Sequence, residues 1–132
     1  MNGSVPVGGP AWARWLALAP IAFFSIAAQH DYSAHAALRW QAAQGLVAQG
    51  VAPTHIKAGF EWDGWYGFEE GARYIHATND LTHIDYPPDV VMDNTYQISD
   101  LPLDGYSGTG SLTYSSWLEP GLTHPVLMLK RK

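Results

Sequence analysis

At 132 residues the chain has room for one domain and one hydrophobic core. Its net charge is −5 and its only basic cluster is Lys130-Arg131-Lys132, which argues against a nucleic-acid surface built on clustered Lys and Arg. It has no cysteine, so thiol catalysis and disulfide staples are excluded and packing must hold the fold; six Trp and seven Tyr supply bulk for that packing.

Residues 1–10 (MNGSVPVGGP) are rich in Gly and Pro, with little to bury, and predict a disordered leader. From Ala11 to Ala28 nearly every residue is apolar apart from Arg14, Pro20 and Ser25. The uncharged part, Trp15 to Ala28, is shorter than the roughly 20 residues a full membrane span needs. Three readings fit it. It is a signal peptide, with Arg14 ahead of a short apolar core and Ala27-Ala28 near a cleavage point. It is a buried strand, because Ile21 to Ile26 has strand length and aromatic content. Or it is the end of a membrane helix that runs into such a strand. The working expectation is a membrane-proximal segment over 11–28 whose Phe23 to Ala27 form a central strand, followed by an α/β domain over 29–132.

Asp31 is placed to cap a helix. Tyr32 to Gln49 lacks Pro and is rich in Ala, Leu and Gln, Gly50 suits a left-handed C-cap, and Pro53 stops the element. Trp40 shares a face with Ala43 and Val47, which predicts an indole buried between this helix and a sheet. His55 to Phe60 reads as a short strand, and strand, helix, strand at this spacing predicts a right-handed βαβ unit. Phe68 to Thr78 reads as helix interrupted by Gly71, and residues 79–94 as loop around Pro87-Pro88. Three late strands follow, Thr95–Ser99, Gly110–Trp117 and Pro125–Lys130. Turns at Leu101-Pro102-Leu103-Asp104-Gly105 and Glu119-Pro120-Gly121 separate them. The predicted fold class is α/β: a small mixed sheet with a βαβ start, one main helix and late antiparallel strands.

Chemistry concentrates in Gly59-Phe60-Glu61-Trp62-Asp63-Gly64-Trp65-Tyr66-Gly67. Glu61 and Asp63 on a strand would face the same side about 7 Å apart, a separation open to glycosidase acid/base work. The bland alternative is a pair of turn-capping carboxylates. Trp62, Trp65 and Tyr66 could stack on a sugar ring or could simply form the core. The candidate binding set is therefore Glu61, Trp62, Asp63, Trp65 and Tyr66. The expected arrangement is split, with Phe60 and one Trp buried and the other Trp at the rim of a shallow cleft. His30 and His35 are five apart and do not share a helical face, His76, His83 and Asp85 fall in or near the loop, and no HExxH spacing occurs, so no metal site is expected. Neither a Gly-x-Ser-x-Gly elbow nor a Gly-rich phosphate loop is present, and no cofactor is expected.

Several segments resemble one known group. Phe24-Ser25-Ile26, Asp31-Tyr32 and Arg39-Trp40 come first. Gly50-Val51-x-Pro53-x-x-Ile56-x-x-Gly59-Phe60-Glu61-Trp62-x-Gly64-Trp65-Tyr66 is the most specific stretch. Tyr96-x-Ile98-Ser99, Leu101-Pro102-Leu103, Gly105-Tyr106, Tyr114, Trp117-Leu118 and Val126-Leu127-Met128-Leu129-Lys130-Arg131 complete it. Together, over residues 12–132, they resemble the C-terminal region of polytopic bacterial glycosyltransferases related to protein O-mannosyltransferases, which use polyprenyl-phosphate sugar donors. The resemblance implies a small extracytoplasmic domain after the last membrane helix, with a glycan or lipid-linked sugar as partner. Arg14, ahead of the apolar run, agrees with a cytoplasmic start. The catalytic acids of that group lie in early loops that this chain lacks, so the resemblance carries no catalytic residue over. Many relatives have Asp-Gly where this chain has Lys57-Ala58. The expectation is a non-catalytic, membrane-associated C-terminal domain or remnant. The rivals are a stand-alone carbohydrate- or protein-binding module using Phe60 to Tyr66, and a small hydrolase using Glu61 and Asp63.

Overall fold

The structure, a computed structural model, describes residues 11–79, 82 and 85–132. The leader expected over 1–10 lies outside the described residues. The fold is mixed α/β. Helix α1 spans Ala11–Ala48 and helix α2 Phe60–Thr78. The strands are β1 (Ile56–Lys57), β2 (Tyr96–Ser99), β3 (Tyr106–Ser115) and β4 (Thr123–Arg131). Single 3₁₀ turns cover Pro53–His55 and Pro87–Val90. The sheet order is β1-β2-β4-β3, with β1 parallel to β2 and the other two pairings antiparallel.

The predicted strand at Phe23 to Ala27 does not exist; these residues are the middle of α1. A strand needs a neighbour for its backbone groups, whereas a helix pairs them within itself. Nothing flanks this run that would stop a helix, and Ala-rich sequence continues through Ala48. Pro20 lies inside α1, where it removes one backbone bond. Asp31 consequently caps nothing on α1 and sits mid-helix. The C-terminal end behaves as expected. Gly50 takes φ 92°, Gly50 N–H donates to Val47 O and Val51 N–H to Leu46 O, the paired bonds of a Schellman ending.

The β-helix-β crossover is real but comes one element later than expected. It is β1, α2, β2, with Ile56 opposite Tyr96 and Lys57 opposite Gln97 in parallel register. The expected strand His55 to Phe60 shrinks to two residues because Gly59 turns the chain and Phe60 starts α2. Gly59 holds φ 106°, and a Cβ there would press on the Arg39 guanidinium. Gly71 does not interrupt α2 but permits its packing: a Cβ there would overlap the Pro87 carbonyl, and one on Gly67 would meet Met92 and Pro88. Asp63, Gly67, Gly71 and Ile75, four apart along the helix, are all buried. Asn79 ends α2 in the left-handed conformation at φ 55°.

The three late strands appear, β3 starting at Tyr106 rather than Gly110. The turns at Gly105 and Gly121 both take positive φ. The core is Ala42, Ala43 and Leu46 of α1, Ile56 and Ala58, Trp62 of α2, Met92, Ile98 of β2 and Val126 of β4. Trp40 is half-buried, packed against the core rather than enclosed in it. It meets the ring of Trp62 edge-on at 4.9 Å and so joins the two helices. The N-terminal half of α1 leaves the core: Trp12, Trp15, Leu16, Leu18, Ile21, Phe23, Phe24 and Ile26 are all exposed. Among the described residues no helix is long and apolar enough to cross a membrane.

Candidate functional site

Tyr32, His35 and Arg39 lie on one face of α1, three and four residues apart. Arg39 is the fixed point. Its Nε donates to Ala58 O and its Nη2 to Ile98 O, both at 2.9 Å, so one guanidinium ties α1 to the β1–α2 junction and to β2. His35 Nε2 sits 2.8 Å from Asp100 Oδ1 at the end of β2. Tyr32 Oη donates to Glu61 Oε1 at 2.8 Å, bringing the first turn of α2 to the same face. Between them lies a cleft of about 230 Å³ bounded by Tyr32, His35, Ala36, Arg39, Gly59, Phe60 and Glu61. A second cleft of about 330 Å³, lined by Asp100, Leu101, Tyr114, His124 and Pro125, takes up the other partner of the His35–Asp100 pair. The rings of Tyr114 and His35 lie 5.8 Å apart, and His124 pairs with Glu119 at 2.9 Å.

The five residues predicted to bind fall into different environments because they occupy a helix rather than a strand. Glu61 and Asp63, two apart, point in different directions. Glu61 is exposed in the cleft. Its carboxyl is held below the usual range, first by the Tyr32 hydroxyl and then by backbone and by the charges of Arg39 and His35. Asp63 is 3% exposed and accepts from Ala58 N–H at 3.1 Å; burial pushes its carboxyl up, against that bond and the charges of Lys57 and Arg39. The same-side pairing that strand spacing would give Glu61 and Asp63 is therefore not formed. Both carboxylates serve the helix N-terminus, where negative charge is favoured.

Trp62 is 1% exposed, donates from Nε1 to Pro53 O and packs on Tyr66 at 4.5 Å. Trp65 is 77% exposed. One indole is buried and the other exposed as expected, but Trp65 lines neither of the two clefts described and Phe60 is not in the core. It is 75% exposed, stacks on Tyr86 at 5.7 Å and offers a ring at the cleft edge.

Tyr32, His35 and Asp100 were missed as site residues. The one-face spacing of Tyr32, His35 and Arg39 is legible in a helix; Asp100, 65 residues from His35, has no local signal. The acidic first turn of α2 and the four-residue repeat of Asp63, Gly67, Gly71 and Ile75 could have located that helix.

Four of the six histidines take carboxylate partners: His30 with Asp31, His35 with Asp100, His55 with Asp93, His124 with Glu119. Among the described residues no group of three or more His, Asp and Glu could hold a metal; His83 lies outside them. Asp31 touches both His30 and Ser116, but Ser116 Oγ donates to the carboxylate and not to the imidazole, so no activated nucleophile results. The cleft offers hydroxyl, carboxylate, imidazole and an exposed ring, groups able to bond to and stack on a polyhydroxylated ligand. No family model matches the chain, and no curated protein or solved structure matches it.

Proposed function

We propose that the chain is the non-catalytic, extracytoplasmic C-terminal domain or remnant of a membrane glycosyltransferase that uses lipid-linked sugar, with the Tyr32–Glu61 cleft as its glycan contact. One observation carries this reading. Helix α1 is unbroken from a segment exposing apolar side chains, Trp12 to Ile26, to a segment packed in the core, Ala42 to Leu46. Exposed Trp, Phe, Ile and Leu in this density suit an apolar surrounding. The resemblance of Gly59 to Tyr66 and of the late strands to such transferases supports the same assignment. The lack of a nucleophile, paired acids or metal cluster among the described residues supports a binding role.

The test is the whole chain in phosphatidylcholine vesicles, titrated with a polyprenyl-phosphate hexose and followed by Trp fluorescence and by product release. Binding that Glu61→Gln and Tyr32→Phe weaken, with no hydrolysis or transfer, is expected. Sugar release abolished by Glu61→Gln would overturn it in favour of a hydrolase. The exposure of Phe60 and Trp65 favours one rival, a stand-alone carbohydrate- or protein-binding module. That reading predicts equal affinity for the free oligosaccharide in the absence of vesicles.

A further inference from the structure

The β3–β4 hairpin ends in Ser116-Trp117-Leu118-Glu119-Pro120-Gly121-Leu122. Trp117, Leu118 and Leu122 are 50%, 40% and 54% exposed. The tip is clamped to α1 at one level. The Asp31 carboxylate accepts from Ser116 Oγ, from Trp117 N–H at 2.8 Å and from Leu118 N–H at 3.1 Å, while the His30 ring stacks on the Trp117 indole at 3.9 Å. Glu119, the single charged residue between Trp117 and Leu122, is paired with His124.

The apolar part of α1 begins immediately beyond this level. At about 100° per residue its eight exposed large side chains, Trp12 to Ile26, fall on every side of the helix. Large apolar side chains on every side of a helix favour an apolar medium all round, which a one-sided protein groove does not supply. From Ile26 to Asp31 the helix rises only about 7 Å, roughly the depth of one headgroup layer. A tip held at Asp31 therefore lies where headgroups begin when Ile26 lies at the edge of the hydrocarbon. Trp favours that boundary. Asp31 tolerates it because its oxygens already have donors.

We infer that the β3–β4 tip is a second membrane contact, with Trp117, Leu118 and Leu122 seated among the headgroups of a phospholipid bilayer that receives the N-terminal half of α1. This rests on the membrane placement proposed above. Two contacts fix the tilt of the domain, where a helix alone would leave it free to swing. The Tyr32–Glu61 cleft, which runs along α1 from the tip level to about two turns past it, then faces the bilayer surface at the height of a lipid-linked sugar.

The chain has no cysteine, so single-cysteine probes report without background. Leu118→Cys, Phe24→Cys and Asp104→Cys, each carrying an environment-sensitive fluorophore, would be measured in phosphatidylcholine vesicles bearing a shallow or a deep nitroxide lipid. Asp104 precedes β3 and lies about 30 Å from the tip along that strand. The Phe24 probe, about 3 Å past Ile26 along the helix, is expected to be quenched by the shallow nitroxide and partly by the deep one, the Leu118 probe by the shallow one alone, and the Asp104 probe by neither. Leu118→Ser with Leu122→Ser should weaken vesicle partitioning about tenfold with an unchanged circular dichroism spectrum, since only backbone groups of these residues bond to the fold. A quenched Phe24 probe beside an unquenched Leu118 probe would overturn the anchor and leave the membrane reading standing. An unquenched Phe24 probe would overturn both. A blue-shifted Leu118 probe that no nitroxide reaches would place the tip on a second protein surface and overturn the inference as well.

Discussion

Trp62→Ala is the sharpest test of how the two helices are joined. Trp62 is 1% exposed, lies 4.9 Å from the ring of Trp40 and 4.5 Å from that of Tyr66, and bonds through Nε1 to Pro53 O. An indole burying about 200 Å² at about 25 cal/mol/Å² accounts for about 5 kcal/mol. The unfolded chain already hides part of that area, while lost ring contacts and the Nε1 bond add to the cost. A destabilisation of about 3–5 kcal/mol is expected, a large share of the stability of an ordinary domain. The assay is equilibrium urea unfolding followed by far-ultraviolet circular dichroism, which does not depend on the deleted fluorophore. A mild detergent would shield the exposed half of α1. Trp65→Ala, three residues along and 77% exposed, is the internal control and should stay within about 0.5 kcal/mol of the parent. A Trp62→Ala loss below about 1 kcal/mol, or equal losses for the two variants, would refute this account of the core.

Two glycines of α2 should respond in opposite directions. Gly64→Ala finds nothing within 4 Å and should stabilise by up to about 1 kcal/mol through helix propensity; Gly71→Ala runs into the Pro87 carbonyl and should cost about 1–3 kcal/mol despite the same propensity gain, both read as urea midpoints. The Asp31 carboxyl is opposed by burial, yet the donors Ser116, Trp117, His30 and Leu118 hold it well below the usual carboxylate range. Its contribution is thus complete above the unfolded value of about 3.9 and is lost only as pH falls through the lower folded value. Amide exchange at Trp117 and Leu118 should stay slow from neutral pH down through about pH 4, and Asp31→Ala should make it fast throughout. Asp63 has the opposite sign. Burial raises its carboxyl, so any contribution is complete below about pH 3.9 and is lost as pH rises through the folded value. The urea midpoint of Asp63→Asn relative to the parent should therefore improve across that interval, and a gap that does not move with pH would contradict the burial argument.

Local chemistry determined much of this protein without help. Gly50 ends α1, Gly105 and Gly121 turn the late strands, and Tyr96–Ser99 and the two long strands pair, because turn glycines and alternating apolar residues act over a few positions. The exclusion of thiol chemistry rests on composition alone, since the sequence holds no cysteine. Tertiary structure decided the rest. Phe23 to Ala27 has strand-like composition, but a strand exists only where a partner lies beside it, and none does; a helix needs no partner. Asp31 reads as a helix cap until the β3–β4 tip, more than eighty residues later, brings three donors to it. Glu61 and Asp63 look like a catalytic pair at strand spacing, and the helix that begins at Phe60 sends one into solvent and the other into the core. The cleft itself, Tyr32 with Glu61 and His35 with Asp100, joins residues 29 and 65 positions apart. Helical spacing puts Tyr32, His35 and Arg39 on one face, but it does not name their partners, since only packing of α1 onto α2 and β2 brings Glu61 and Asp100 within bonding distance.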